Sequence, residues 1–301
     1  MKNAEARSAA GCRSRAGVDG MASIAAGFEI PGVLWRRDPD GQSVPLVLDS
    51  PHSGALYPED FAYCCPLPVL RRAEDSYVDE LFAAAPSHGA TLIGALFPRS
   101  YVDVNRAADD LDPGLLAGAL PPVLVPRPAT RVGLVRRHAQ PGVPIYDKKL
   151  SPDDVLARIE RYHTPYHRVL DEACERLHRE FGAVWHINCH SMPSHGDRGE
   201  HGDFVLGDRD GTTCGAEFTD FVARFLRGVG YDVRINEGYK GVEIVRRQGR
   251  PAENRHSLQI EVDRSLYMDQ KTLEKLPGFA ALRSDLARLV EALAEFVRAR
   301  F

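Results

Sequence analysis

Two histidines, far apart in the chain, each stand where an apolar run gives way to polar residues. Leu46-Val47-Leu48 leads into Asp49-Ser50-Pro51-His52-Ser53-Gly54, and Trp185-His186-Ile187-Asn188-Cys189 leads into His190-Ser191-Met192-Pro193. Strands that end this way release histidine into a cleft, and imidazole is the commonest metal ligand. Zinc at a hydrolytic site takes about three protein ligands and keeps one position for water, a set that two imidazoles and a carboxylate complete. His52 and His190 supply the imidazoles. The carboxylate comes from Glu74-Asp75-Ser76-Tyr77-Val78-Asp79, which reads as the opening of a helix ending near His88. Asp75 is the first choice and Asp79 the alternative, because residues four apart share a helical face.

Water activated in this way needs a proton acceptor that then serves the leaving amine. Glu261 is the candidate, because a charge within the apolar run Leu258-Gln259-Ile260-Glu261-Val262 is costly when buried without a partner. The competing reading is an ion pair with Arg264 or another basic residue. Tyr101-Val102-Asp103-Val104-Asn105-Arg106 reads as a strand that ends in an amide and a guanidinium. Arginine grips a carboxylate through two parallel hydrogen bonds, so Arg106 would hold a substrate carboxylate with Asn105 assisting. Structural pairing of Asp103 with a nearby arginine is the plainer alternative.

Other candidates carry less chemistry. His163 and His167 lie four apart, as in HExxH metalloproteases, but Thr164 stands where that motif has glutamate and Pro165 interrupts the turn. They read as helix-surface histidines, and His195 and His201 as exposed residues of a Gly-rich loop. No GxSxG turn marks a nucleophilic serine. Ser53 and Ser191, beside the two ligand histidines, read as hydrogen-bonding support for them.

Eight short runs read as strands: Leu46–Leu48, Thr91–Phe97, Tyr101–Val104, Ala183–Cys189, Asp203–Leu206, Tyr231–Ile235, Val242–Val245 and Ser257–Val262. Their alternation with helical patterns predicts an α/β fold, a mixed, mainly parallel central sheet with helices on both faces. Ser151-Pro152-Asp153-Asp154 opens a helix with an N-cap, a proline at its first position and early acids. It is expected to run to Phe181 with a bend near Pro165. Leu282, Leu286, Leu289, Leu293 and Phe296 form one apolar face of a C-terminal helix. The Pro-, Gly- and Arg-rich stretch 113–144 is long enough to read as a functional loop. Residues 1–27 read as a disordered tail and 28–301 as a single α/β domain.

Thirty-eight basic against 42 acidic residues give a net charge of -4, which supplies no basic field for nucleic acid or anionic lipid. A small-molecule partner is expected instead. No run approaches the ~20 apolar residues of a membrane span, and the first 20 residues lack the apolar centre of a secretory signal. The six cysteines show no paired CxxC spacing, so reduced thiols in the cytoplasm are expected.

The set DSPHSG (49–54), VDELF (78–82), YVDVNR (101–106), NCHSMPS (188–194), DFVLGDRDGT (203–212), YKG (239–241), GRP (249–251) and LQIEVDRSLYMD (258–269) resembles the N-formylglutamate amidohydrolase family, in order, from about residue 45 to 270. The resemblance implies a zinc carboxypeptidase-like fold with its metal site at the carboxyl edge of the sheet. It also implies zinc at His52 and His190, a catalytic carboxylate at Glu261, and carboxylate recognition by Asn105 and Arg106. Ala55 stands where carboxypeptidases have a glutamate three residues after the first histidine, which leaves the third ligand between Asp75 and Asp79. Val242-Glu243 follows YKG where the family pattern has a further glycine. The implied reaction is zinc-dependent hydrolysis of N-formyl-L-glutamate to formate and L-glutamate, a step of histidine catabolism. The substrate's side-chain carboxylate would meet Arg136, Lys240, Arg246 or Arg250. The alternatives are a carboxypeptidase or deacylase acting on another N-acyl amino acid, and a non-catalytic zinc-binding protein.

Overall fold

The computed structural model describes residues 27–118, 133–194 and 201–301. The expected N-terminal tail lies outside these residues except for Gly27, which opens the first strand; His195 and the middle of the 113–144 stretch also lie outside them. Eight strands form one sheet: β1 (Gly27–Ile30), β2 (Leu34–Arg37), β3 (Leu46–Ser50), β4 (Thr91–Ala95), β7 (Val184–Met192), β8 (Phe204–Gly207), β9 (Val233–Ile235) and β10 (Arg255–Asp263). A small separate ribbon pairs β5 (His138–Gln140) with β6 (Val143–Pro144). The sheet order is β1-β2-β4-β3-β7-β10-β8-β9. Its central strands β4, β3, β7 and β10 run parallel, and antiparallel partners join at either side. This is the expected mixed sheet.

Helices cover both faces. One face packs α2 (Val78–Leu81), α5 (Ala216–Val229) and α7 (Phe279–Arg298) on Leu48, Ile187 and Ile260. The opposite face carries α1 (Leu67–Arg71), α4 (Thr164–Phe181) and α6 (Glu243–Gln248), which close over Val47, Ile93 and Val184. The apolar positions predicted for the C-terminal helix pack as expected: Leu282, Leu286, Leu289 and Leu293 are buried in α7. Among the described residues no helix is long and apolar enough to cross a membrane.

Alternation along the strands sets up the chemistry. Side chains of a strand point to opposite faces in turn. In β7, Trp185, Ile187 and Cys189 enter the apolar core on one side, so His186, Asn188 and His190 share the other. Gln259 pairs with Asn188 and Glu261 with His190 in the parallel register of β7 and β10. A row of polar side chains therefore runs up the second face, through the middle of the sheet, toward the carboxyl ends of the strands. His190 sits within β7 rather than in the loop that the sequence suggested, because the strand continues to Met192.

Four expectations need correction. Val242–Val245 is not a strand: Glu243 begins α6. Tyr101–Val104 is not a strand either, because its polar backbone atoms bond to a turn and to helix side chains instead of a neighbouring strand. Leu134 O accepts from Asp103 N at 2.7 Å, and Tyr101 O, Val104 O and Arg106 O face Arg158, His167 and His163 at 2.9, 2.8 and 2.9 Å. His163 and His167 are thus buried clamps, not surface histidines. Glu74–His88 is not one helix, since Tyr77 takes φ 68° and separates Asp75 from the short α2. The edge strands β1 and β2 were not foreseen.

The helix from Ser151 forms as α3 (Pro152–Arg158), a π-turn (Ile159–His163) and α4. Thr164 N–H reaches back to Ile159 O, a five-residue span that loosens the ladder just before Pro165, which has no N–H to give. Gly182, at φ 74°, ends the helix in the left-handed cap that favours glycine. At the start, Ser151 Oγ accepts from Asp154 N at 3.0 Å while Asp154 Oδ2 accepts from Ser151 N at 3.2 Å. This reciprocal cap is exposed and remote from the polar row. Ser151→Ala is therefore expected to cost about 1 kcal/mol of stability in urea unfolding, with catalytic constants at their wild-type values; an unchanged midpoint would show that the cap contributes nothing.

Candidate active site

His52 follows the end of β3, His190 lies near the end of β7, and Asp75 comes from the turn before α2. The three meet: one ligand atom from each lies within 4.8 Å of the others, and all three residues are buried. Asp75 Oδ2 is 2.9 Å from His190 Nδ1 and 3.3 Å from His52 Nδ1. The alternative ligand, Asp79, is not in this cluster; it belongs to α2, where its N–H reaches Ser53 Oγ. Ser53 also donates to Asp75 O at 3.0 Å, and Ser191 Oγ accepts from Arg264 Nε at 3.1 Å, so both serines support the cluster.

The far nitrogens of the imidazoles are held as well. His52 Nε2 lies 2.7 Å from Asp103 Oδ1, and His190 Nε2 lies 2.7 Å from Asn188 Oδ1. A proton on each Nε2 leaves the lone pair of each Nδ1 facing Asp75. Two imidazole nitrogens and a carboxylate oxygen, converging from buried positions with their rear nitrogens anchored, fit a divalent ion of the zinc type.

Two buried carboxylates this close require nearby cations. Arg264 Nη2 donates to Asp75 Oδ1 at 2.8 Å, and Arg99 Nη2 donates to Asp103 Oδ2 at 2.9 Å. Arg99 Nη1 also lies 3.5 Å from Asp75 Oδ1. Burial alone would raise both acids, yet the adjoining His190 and His52 rings, then the charge of Arg99, hold Asp75 well below the usual carboxylate range. Asp103 is held low against the same burial by Arg99 and His52.

Glu261 has no such support. Burial raises its pKa to about 7, with the nearby charge of Asp75 adding to the effect and His190, Arg99 and Arg264 opposing it. The ion pair with Arg264 that offered a structural alternative does not form. Arg264 bonds to Asp75, Ser191 and Arg72 O, while Glu261 Oε1 accepts from Gln259 Nε2 at 3.0 Å.

A cavity of about 970 Å³ opens over the cluster, lined by His190, Glu261, Asn105, Arg106, Arg136, Lys240 and Tyr239 among others. Its guanidinium groups differ in how they are held. Arg99 and Arg264 serve the buried acids. Arg106, Arg136 and Arg72 each keep a buried Nε without a hydrogen-bond partner, and Arg136 Nη2 comes only within 3.8 Å of Asp103. Burial, then the neighbouring Arg99, pushes Arg136 down to about 9.

The other expected substrate residues are placed differently. Lys240 lines the cavity but its Nζ is 2.9 Å from Asp210 Oδ2, and Arg246 pairs with Glu243. Arg250 does not line this cavity: it pairs with Glu253 and borders a separate hollow with Asp171 and Glu175, because α6 and the turn after it carry it away. Asn105 lines the cavity, yet its Oδ1 accepts from Ile244 N at 2.9 Å and its Nδ2 lies 3.1 Å from His190 Nε2. His201 stacks edge-on with Tyr239, half-buried. Sequence reasoning missed Arg72 and Arg99. The signal available for Arg99 was the need of two buried acids for a cation.

The proteins that this chain resembles define its class, a hydrolase acting on an amide. The chain belongs to the N-formylglutamate amidohydrolase family, whose model matches residues 44–268. It is 28% identical over 269 residues to an N-formylglutamate deformylase of Pseudomonas aeruginosa, covering 86% of this chain and 96% of that one. An N-formylglutamate deformylase of Pseudomonas putida is 29% identical over 239 residues, covering 75% of this chain and 83% of that one. The crystal structure of N-formylglutamate amidohydrolase from Ralstonia eutropha JMP134 is 47% identical, with a TM-score of 0.85 over 90% of this chain and all of that one. A gene product of Agrobacterium tumefaciens shares the fold, with 18% identity and a TM-score of 0.65 over 88% of this chain and 96% of that one.

A carboxyl whose pKa is raised on folding from 4.5 to about 7 weakens the fold wherever it is ionised. The penalty is absent below the unfolded value and complete above the folded one. Metal-free Glu261→Gln is therefore expected to melt above the metal-free wild type at pH ~8, with the gap closing by pH ~4. A gap that does not change with pH would contradict this assignment.

Proposed function

We propose that this chain hydrolyses the amide of N-formyl-L-glutamate to formate and L-glutamate, with zinc held by His52, Asp75 and His190. The observation that carries the reading is the position of Glu261, a buried carboxyl poised near neutrality beside that cluster, on a cavity whose Arg106 and Arg136 keep Nε donors without hydrogen-bond partners. The names of the Pseudomonas and Ralstonia relatives support the choice of substrate. When bound, zinc supplies Lewis-acid chemistry, polarising a carbonyl and acidifying water.

The chain's own residues do the rest. Glu261, ionised, takes a proton from water as the water oxygen adds to the formyl carbon. It then delivers that proton to the nitrogen as the C–N bond breaks. Arg99 and Arg264 keep Asp75 and Asp103 anionic, so these acids do not compete with Glu261 for the proton. Arg106 receives the α-carboxylate of the substrate, and Arg136 the side-chain carboxylate. An arriving dianion gives both guanidiniums the partner that the protein withholds. Asn105 fixes Ile244, at the start of α6, against the site. A non-catalytic zinc-binding protein would have no use for a raised carboxyl at this position.

Purified protein is expected to release formate from N-formyl-L-glutamate and to be much slower on the N-acetyl and N-succinyl analogues. Chelation should abolish turnover and zinc should restore it. Glu261→Gln should lower kcat by ~10²-fold or more while retaining zinc. The wild-type kcat/KM should fall on the acid side of its pH profile, the direction in which Glu261 gains its proton. Full turnover by the Gln variant would remove Glu261 from the mechanism.

Arg136→Ala should raise KM for N-formylglutamate by ~10-fold or more, the loss of one charge-assisted contact, and leave N-formylmethionine turnover unaffected. An equal loss on both substrates would place Arg136 elsewhere.

A further inference from the structure

Behind His190 lies a chain of buried polar groups that the proposed reaction does not use. Asp49, on β3, is fully buried and has no lysine or arginine partner among the described residues. It accepts instead from Tyr166 OH at 2.7 Å, His186 Nε2 at 2.9 Å and Asn188 Nδ2 at 2.7 Å. His186 Nδ1 in turn meets Ser257 Oγ at 2.7 Å. One face of the sheet supplies all of these groups except Tyr166, which comes from α4 packed over it.

An ionised carboxylate only accepts hydrogen bonds. Asn188 must therefore turn its NH2 toward Asp49 and its carbonyl oxygen toward His190 Nε2, 2.7 Å away. That oxygen also only accepts, so the ring proton of His190 belongs on Nε2 and the Nδ1 lone pair is free. A rival arrangement is built into the same site. Asn105 turns its own NH2 toward His190 Nε2 at 3.1 Å, held that way by Ile244 N, and Asp75 Oδ2 lies 2.9 Å from Nδ1. These two groups favour a proton on Nδ1, the tautomer that has no lone pair on the nitrogen facing Asp75 with which to bind a metal there.

We infer that Asp49, acting through Asn188, is a positioning residue that selects the metal-binding tautomer of His190. The inference rests on the reading of His52, Asp75 and His190 as a metal site, but its first prediction concerns the metal-free protein. His52 offers an internal control, because its Nε2 proton is held by Asp103 and not by this chain.

In Asp49→Asn, the new amide can donate to Asn188 Oδ1, so the Asn188 amide turns over and offers its NH2 to His190. The full chain is compared with this variant, and with Asn188→Ala, by nitrogen-15 NMR of the histidine rings without zinc at pH ~8, where a free imidazole is neutral, and by zinc titration against a chelator. In the wild type His190 is expected in the Nε2–H form. In Asp49→Asn it moves to Nδ1–H while His52 stays Nε2–H, and zinc binds ~10- to 100-fold more weakly, the usual consequence of losing support behind a ligand. Should Asp49→Asn fail to fold, Asn188→Ala carries the test with the same expected tautomer and affinity change.

Wild-type His190 in the Nδ1–H form would overturn the inference, as would folded variants that keep the Nε2–H form. Equal losses of order at His52 and His190 would mean a general structural role and also overturn it. A wild type that binds no zinc, with the tautomers as expected, would instead refute the metal reading alone.

Discussion

Asp75 is the residue on which the site depends. Two imidazoles approach one of its oxygens and two guanidiniums approach the other, all out of water. An unpaired carboxylate at this depth would take up a proton, and a neutral carboxyl there would no longer hold the imidazoles in register. Arg264 and Arg99 prevent that. They in turn fix β10, the turn before α2 and the 101–106 segment relative to one another, so the charge balance of the cluster also determines where the walls of the cavity stand. Removing any one charge leaves another uncompensated.

The same accounting separates the cations of the cavity into two kinds. Arg99 and Arg264 are committed to buried acids. Arg106, Arg136 and Arg72 are oriented by packing and keep donors without partners. Protein interiors rarely leave such donors unmatched, and those that persist are commonly matched by a ligand. In a chain with more acidic than basic side chains overall, this local excess of positive charge gives an anionic substrate a destination that the net charge of -4 conceals.

Much of the site was legible in the sequence because apolar strands with polar interruptions are conspicuous. His52 and His190 stood out for that reason, and so did Glu261. The mixed sheet with helices on both faces followed from alternating patterns, and the start of the helix at Ser151 from its N-cap. What stayed hidden depended on partners distant in the chain. Nothing near Arg99 announces that it serves Asp103 and Asp75. Tyr101–Val104 has the composition of a strand, but its carbonyls are taken by Arg158, His163 and His167 from a helix some 57 to 63 residues away. Arg250 illustrates the opposite error, since a basic residue inside a matching motif need not face the cavity. The choice between Asp75 and Asp79 turned on the left-handed backbone at Tyr77, a conformation that residue type does not foretell.

The π-turn at Ile159–His163 brings together two jobs that a regular helix would split. A wide turn holds one residue more than an ordinary one, so it offsets the two halves of the helix by roughly 100°. With that offset, Arg158 before the turn, His163 at its end and His167 beyond it all grip the loop that ends in Asn105 and Arg106. Deleting a single residue from the turn would leave α3 and α4 helical but rotate one set of grips away. Trimming this helix to regular geometry would therefore loosen a wall of the cavity without touching any residue inside it.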